Sequence, residues 1–296
     1  GWLKHLTGSF DSRTADVPHY SIAEQAKLPP LLTEAGVDLL FSPHFNVPVF
    51  CPVPFVATIH DLTLHRYPNE ASFLRRLVYR FLMRRTVRKA EHLFAVSQWT
   101  ADELRTWYGE PTARKIVITD ESADDDLAPP DPEDMTQALQ SYGLADRGYV
   151  LAVGNSKEHK NLETLVEAHA ASAAPLLVLV SDAGALRYAS DRARVLQNVP
   201  REDMSFLYGG ARCFVTASLA EGFCLPVLEA RLCGCPVLAS RAGAIPEVAG
   251  KSAVLVDPTP EGLRDGLSRL PDTADPVRLA GIDAVPVVLD ARDPDL

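Results

Sequence analysis

Two carboxylates eight positions apart, Glu221 and Glu229, flank the stretch Gly222-Phe223-Cys224-Leu225-Pro226. Pro226 suits the first position of a helix, so backbone N–H groups around Phe223, Cys224 and Leu225 would face a phosphate or a sugar hydroxyl, and Gly222 permits close backbone approach. Glu221 in the loop and Glu229 about one turn inside the helix could then grip separate hydroxyls, as sugars and ribose present. A second set, Lys157 and Lys160, follows the apolar run Tyr149 to Val153 and Gly154 and precedes a helical pattern. Cations beside free N–H groups neutralise a diphosphate. A third set, His60 with Asp61 and the more distant His44, stands just after apolar runs, where side chains emerge at the carboxyl edge of a parallel sheet. Taken singly, each has a plain structural alternative: a solvated loop Glu, a surface Lys, a satisfied structural His.

The elements that must position these groups read as short β-rich runs alternating with longer helical patterns, the mark of an α/β protein with parallel sheets. Strands are expected at Val37 to Phe41, Phe55 to Ile59, His92 to Val96, Ile116 to Thr119, Tyr149 to Val153, Leu176 to Ser181, Cys213 to Thr216, Pro236 to Ala239 and Ala253 to Val256. The 296 residues suit two domains. Between Asp120 and Asp134 stand eight acidic residues, no basic one, and Pro129, Pro130 and Pro132. That composition predicts a helix-free linker over 120–135, dividing residues 1–135 from 136–296.

A formal charge of -10 disfavours nucleic acid as a partner. No apolar stretch reaches the ~18 residues of a membrane span, and Gly1-Trp2-Leu3-Lys4-His5 lacks a signal-peptide pattern, so a cytoplasmic location is expected. The cysteines Cys51, Cys213, Cys224, Cys233 and Cys235 form no C-x-x-C pair and read as reduced packing residues. Over Phe73 to Lys89, Leu74, Leu77, Val78, Phe81 and Leu82 recur at helical spacing among seven cations and no acid. This helix is either a core helix with a solvated basic face or a contact for an anionic membrane surface or lipid phosphate.

The segment Glu221 to Glu229 resembles the E-x7-E motif of the family 4 glycosyltransferases. Leu151-Ala152-Val153-Gly154-Asn155-Ser156-Lys157-Glu158-His159-Lys160-Asn161-Leu162, Ala244-Ile245-Pro246-Glu247-Val248, Phe41-Ser42-Pro43-His44, Thr58-Ile59-His60-Asp61-Leu62 and Val96-Ser97-Gln98-Trp99-Thr100 resemble the same family in the same order. The resemblance spans about Tyr20 to Pro258. It implies the GT-B fold, two Rossmann-like domains facing a cleft, and a retaining transfer of a hexose from a nucleotide-sugar donor to a glycan or lipid-linked acceptor. Its bacterial polysaccharide mannosyltransferases point to GDP-mannose.

The resemblance also assigns roles: Lys160 on the diphosphate, with Asn155 at the position after Gly154 where the family often has Arg and Lys157 either replacing that Arg or standing as a solvated surface Lys; Glu221 on a sugar hydroxyl; Glu229 on the ribose; His60 near the anomeric centre. Gly154, Gly222, Phe223, Cys224 and Leu225 complete the donor side, and His44 and Asp61 the acceptor side. It implies front-side substitution assisted by the donor phosphate, with no cofactor and no metal; Asp124-Asp125-Asp126 reads as solvated linker charge. A two-carboxylate hydrolysis does not fit, because glycosidase carboxylates flank a bond from opposite sides.

Against the pattern, only 36 residues precede Val37, no Gly-rich loop stands there, and the chain runs out at Pro286-Val287-Val288-Leu289-Asp290 and Asp293-Pro294-Asp295-Leu296. An incomplete N-terminal domain is therefore expected. A GT-B chain that binds nucleotide or a partner without transfer, and a nucleotide-sugar epimerase on the same fold, stay open as alternatives.

Overall fold

The computed structural model describes residues 14–270 apart from His19 and Asp125. The opening residues Gly1 to His5, the tail from Pro286 and the middle of the Asp124 to Asp126 run lie outside the described residues. Helix α1 (Ile22–Ala35) comes first, capped by the Ser21 hydroxyl, which accepts the Glu24 N–H. Pro29 and Pro30 sit inside it, which is why the sequence pattern gives no sign of it. Gly36, at φ +63°, ends α1 in a left-handed turn, and β1 (Leu40–Ser42) starts later than Val37 because the chain must first leave that turn. Then come β2 (Phe55–Ile59), the short α2 (Thr63–Arg66), α3 (Phe73–Lys89), β3 (Leu93–Ala95), α4 (Gln98–Tyr108), the short α5 (Glu110–Ala113) and β4 (Ile116–Ile118). The strands pair in the order β1-β2-β3-β4, all parallel.

The second unit follows through α6 (Pro132–Ser141), β5 (Tyr149–Val153), α7 (Leu162–Ala170), β6 (Leu176–Val180), β7 (Ala193–Leu196), α8 (Met204–Gly209), β8 (Cys213–Thr216), α9 (Leu225–Leu232), β9 (Val237–Ser240), α10 (Ile245–Ala249), β10 (Val254–Val256) and α11 (Pro260–Ser268). Its six parallel strands run in the order β10-β9-β8-β5-β6-β7. Alternate residues of β5 enter opposite cores: Tyr149 and Leu151 on one face, Val150 and Ala152 on the other. Both faces are therefore covered, which explains why these strands read as unbroken apolar runs. The first sheet packs one face, Phe55, Ala57, Ile59, Leu93 and Ala95, on α3 and α4.

Three sequence expectations are corrected. The acidic linker does hold a helix start. Asp131 caps α6 by accepting the Glu133 N–H at 2.9 Å, Pro132 opens the helix, and Glu133 and Asp134 stand in its first turn, where the dipole favours acids. Strand β7 went unforeseen because its alternation of Ala193 and Val195 with Arg192 and Arg194 belongs to a sheet edge with one face exposed. The core face of α3 consists of Tyr79, Leu82, Met83, Thr86 and Val87. Phe73, Leu74, Leu77, Val78 and Phe81 form an exposed stripe instead, from 48% to 72% accessible. All five thiols are free, four of them buried.

Candidate functional site

In the second sheet the chain runs outward from β5 through β6 to β7, then returns to β8 and runs the other way through β9 to β10. The crevice between the carboxyl ends of β5 and β8 is thus the topological switch point, where open α/β sheets bind ligands. Two predicted loops flank it. After β5, Gly154 at φ +155° turns the backbone, and a Cβ there would touch the Lys160 stem, at 3.6 Å from Cδ. A short 3₁₀ turn, Glu158–Lys160, then carries Lys160 back over the sheet. After β8, Cys224 at φ +81° turns the chain into α9. Lys160 Nζ donates to Glu221 Oε1 at 2.6 Å, with the side chains 16% and 11% exposed. Burial alone would lower the Lys160 ammonium; the Glu221 carboxylate foremost, with Cys224 and Asp61 nearby, offsets it and holds the group above its ordinary value.

Gly243, at φ +60°, lies so close beneath Glu221 that a Cβ would approach its N at 2.6 Å and its O at 2.7 Å. The Glu221 C=O also accepts the Ala244 N–H at 3.0 Å. The loop holding the carboxylate is thus backed by the turn after β9. Phe223 and Cys224 are buried in the core, where burial raises the Cys224 thiol far out of the reactive range. Glu229 Oε2 accepts from the Tyr208 hydroxyl at 2.7 Å, and Pro226 takes the second position of α9, one later than expected.

In the first unit, residues after successive strands gather at one sheet edge. His60 follows β2; its Nε2 lies 2.8 Å from the Pro43 carbonyl, and its Nδ1 is paired with Glu121, which follows β4. Both partners are acceptors, and the Glu121 hydrogen bond raises the His60 pKa above 6.5, outweighing burial. A raised histidine contributes stability fully below its unfolded value and loses it as pH rises through the folded one. Glu121→Gln is therefore expected to lower the His60 titration midpoint, read from its imidazole NMR signals; an unchanged midpoint would discount the pairing. His44 stacks at 6.0 Å from His60 and lies 2.8 Å from the Tyr20 hydroxyl. Asp61 accepts the Thr63 N–H at 2.8 Å.

A cleft of about 910 Å³ lies between the units, lined by His44, Asp61, Lys157, Lys160, Glu221 and Gly222 among the predicted residues. Gly154, His60, Phe223, Cys224, Leu225 and Glu229 are not among the residues that line it. The close approach expected of Gly222 is to protein: a Cβ there would fall 1.7 Å from the His60 carbonyl oxygen.

Three cross-unit contacts went unforeseen. Glu247, before the C-terminus of α10, accepts the N–H groups of Gln98 and Trp99 at 2.9 and 2.8 Å, so a carboxylate of the second unit sits on the N-terminus of α4 in the first. Ser97 and Thr100 donate to the Gly222 carbonyl at 2.5 and 3.1 Å. Glu70 accepts from the backbone N–H of His159 at 3.0 Å and meets its Nδ1 at 2.6 Å, both side chains under 9% exposed. Glu247, Ser97 and His159 stand inside motifs the sequence displays, but nothing local tells which of them face the other unit.

Two parallel-sheet units with loops converging on a shared cleft define a GT-B protein. The profile "Glycosyltransferase Family 4" matches residues 7–119 and "Glycosyl transferases group 1" matches residues 147–272, and the chain belongs to this glycosyltransferase family. It is 31% identical over 220 residues to the O-antigen chain mannosyltransferase B of Escherichia coli, covering 69% of this chain and 57% of that protein. It is 27% identical over 217 residues to the O-antigen chain mannosyltransferase RfbU of Salmonella typhimurium, with the same coverage of 69% and 57%. The chain thus spans just over half the length of these relatives. Among solved structures, Anabaena HepE in complex with UDP and glucose superposes with a TM-score of 0.69 at 22% identity, over 82% of this chain and 70% of that one. WaaG, a glycosyltransferase involved in lipopolysaccharide biosynthesis, gives 0.65 at 19% identity, over 86% and 76%. These likenesses show the fold.

Proposed function

We propose that this chain transfers a hexose, mannose from GDP-mannose, to a glycan or lipid-linked acceptor with retention of configuration. The observation that carries this reading is the Lys160–Glu221 pair, facing the inter-unit cleft from the switch point. Lys160 and Lys157 would meet the diphosphate as charge builds on it, without a resident metal, and Glu221 would hold a sugar hydroxyl. Glu229 keeps one carboxylate oxygen for the ribose, the other being held by Tyr208. His60 would exchange its Pro43 contact for the sugar near the anomeric centre. Relatives named as mannosyltransferases support the choice of sugar. The test is transfer of labelled hexose from GDP-mannose, UDP-glucose and UDP-galactose to bacterial membrane glycans with a chelator present. No transfer from any donor, with no nucleoside diphosphate bound at millimolar concentration, would reject the reading.

The two assigned roles separate by kinetics. Glu229→Ala is expected to weaken nucleotide affinity about tenfold or more, the loss of one charge-assisted hydrogen bond of roughly 1.5–3 kcal/mol. His60→Ala should leave that affinity within about twofold and lower turnover, since an interaction made only in the transition state shows in kcat. Calorimetry beside steady-state rates decides, and the opposite pattern would reverse the roles.

On the same reading the protein works in the cytoplasm, peripheral to a membrane. Leu74 and Val78 both belong to the exposed stripe of α3 and line the cleft. An amphiphilic acceptor could therefore pass from a membrane surface into the site along α3. Cations near an anionic surface contribute about 1 kcal/mol each. Pelleting with anionic vesicles is expected to fall with added salt and with Leu77→Asp plus Phe81→Asp; equal pelleting with neutral vesicles would leave only a solvated basic helix. No helix among the described residues is long and apolar enough to cross a membrane.

A further inference from the structure

A second groove, of about 620 Å³, lies between the C-terminal half of α3 and the corner joining α4 to α5. Its lining includes Arg84, Arg88, Lys115, Trp107, Tyr108 and Pro111, and no acid. Arg84 and Arg88 are one helical turn apart and so share a face. Leu82, which lines the cleft, is two positions from Arg84 and so about 200° around the helix. The groove is therefore separate from the cleft, with α3 as the wall between them.

The acids of the neighbouring elements are spent or absent from the lining. Glu103 is paired with Arg66 and Asp102 with Arg105, and Glu110 does not reach the groove. Lys115 Nζ donates to the Arg88 and Ala90 carbonyls at 3.1 and 2.9 Å, which seats a third positive charge against the end of α3. His65, behind the aromatic wall, has its ring between the Tyr79 and Tyr108 hydroxyls at 2.9 Å each. Burial pulls it to about 4, so it is neutral near pH 7 and serves as packing. Trp107 packs on this ring, with centroids 4.9 Å apart, yet remains 45% exposed.

Two arginines free of acidic partners among the described residues, beside an exposed indole, form a complementary pair of features. Guanidinium groups take a phosphate through paired N–H donors. An indole face takes the apolar face of a sugar ring. The volume falls within the range of small-ligand sites, roughly 300–1,000 Å³. We propose that this groove is a second ligand site, outside the cleft, for a sugar bearing a phosphate group. The site stands whether or not the cleft transfers mannose, since none of its lining residues belongs to the donor or acceptor assignments.

The test is calorimetry on the full chain presaturated with nucleoside diphosphate, so that phosphate positions in the cleft are filled. The probes are mannose 1-phosphate, inorganic phosphate and methyl mannoside. Mannose 1-phosphate is expected to bind, with affinity at least about tenfold weaker in Arg84→Gln plus Arg88→Gln and in Trp107→Leu. Inorganic phosphate should depend on the arginines alone. Nucleotide affinity and melting temperature should be unchanged in the arginine variant, and Trp107→Phe should restore much of the lost binding, separating stacking from a folding defect. Two sources of the ligand chemistry are distinguished by competition against bound mannose 1-phosphate. Phosphatidylinositol vesicles displacing it would identify a lipid headgroup, and a phosphorylated oligosaccharide displacing it would identify the glycan. Absence of binding, binding indifferent to both variants, equal affinity for methyl mannoside, or displacement by neither source would overturn the assignment.

Discussion

Lys160→Met should lose both stability and nucleotide. Its ammonium and the Glu221 carboxylate are 2.6 Å apart and nearly removed from water. Taking away the cation leaves a buried anion without its partner, a change worth about 3–5 kcal/mol of folding stability. The same substitution removes the one cation among the described residues that both lines the cleft and is paired with Glu221. A charge-assisted bond to the diphosphate is worth roughly 1.5–3 kcal/mol, so nucleoside diphosphate affinity should fall about tenfold to a hundredfold. The two effects separate in Lys160→Met plus Glu221→Leu. Removing both charges should recover much of the stability, measured by urea unfolding, and none of the nucleotide affinity, measured by calorimetry. pH is a poor probe of this pair. Glu221 holds Lys160 above the ordinary lysine value of 10.5, so its contribution is complete at neutral pH and is lost only as pH rises through the folded value in strong alkali. Nucleotide affinity within about twofold of the parent would place the diphosphate elsewhere.

What the sequence made legible follows from how local each signal is. The strands β5, β8 and β9, buried on both faces, are short apolar runs whose pattern needs no partner to be read. Their loops carry glycines, lysines and carboxylates at fixed offsets, so the second unit's wall of the cleft could be read from the loops after β5 and β8. Edge and interface features do not work this way. The alternation in β7 looks like a surface turn until β6 is beside it, and the acids of residues 131–134 read as an unstructured run until one of them is seen to cap α6. The stripe on α3 has the spacing of a core face, yet α3 buries the side displaced toward Met83 and Thr86, which the period alone cannot select. Glu70, Glu121 and Glu247 were missed for a common reason: each carboxylate serves a donor far away in sequence, Glu121 within the first unit and Glu70 and Glu247 across the two units, so only the folded chain reveals its role.

Among the contacts that hold the two units in their closed arrangement is one very close backbone approach, and Gly222→Ala should break it. Gly222 is not among the residues with positive φ, so alanine carries no backbone penalty of its own there. The obstacle is the other unit. A Cβ would stand 1.7 Å from the His60 carbonyl oxygen and 2.8 Å from its carbon, distances only a backbone shift can relieve. The carbonyl of Gly222 itself accepts from Ser97 and Thr100, so moving the loop away also breaks the bonds that join it to the start of α4. Catalysis by positioning is lost steeply with displacement, about a hundredfold for an error near 1 Å. Transfer by Gly222→Ala is therefore expected to fall about a hundredfold. Nucleotide affinity should stay within about threefold, because Lys160, Glu221 and Glu229 all belong to the second unit and move together. Ser97→Ala, which removes one hydrogen bond of about 1 kcal/mol without adding bulk, should cost far less. Small-angle scattering gives a readout that needs no activity: the alanine variant should show a larger radius of gyration with nucleotide bound, and the serine variant should not. Parent-like rates together with an unchanged radius in Gly222→Ala would mean that the two units need not meet at this point for the cleft to work.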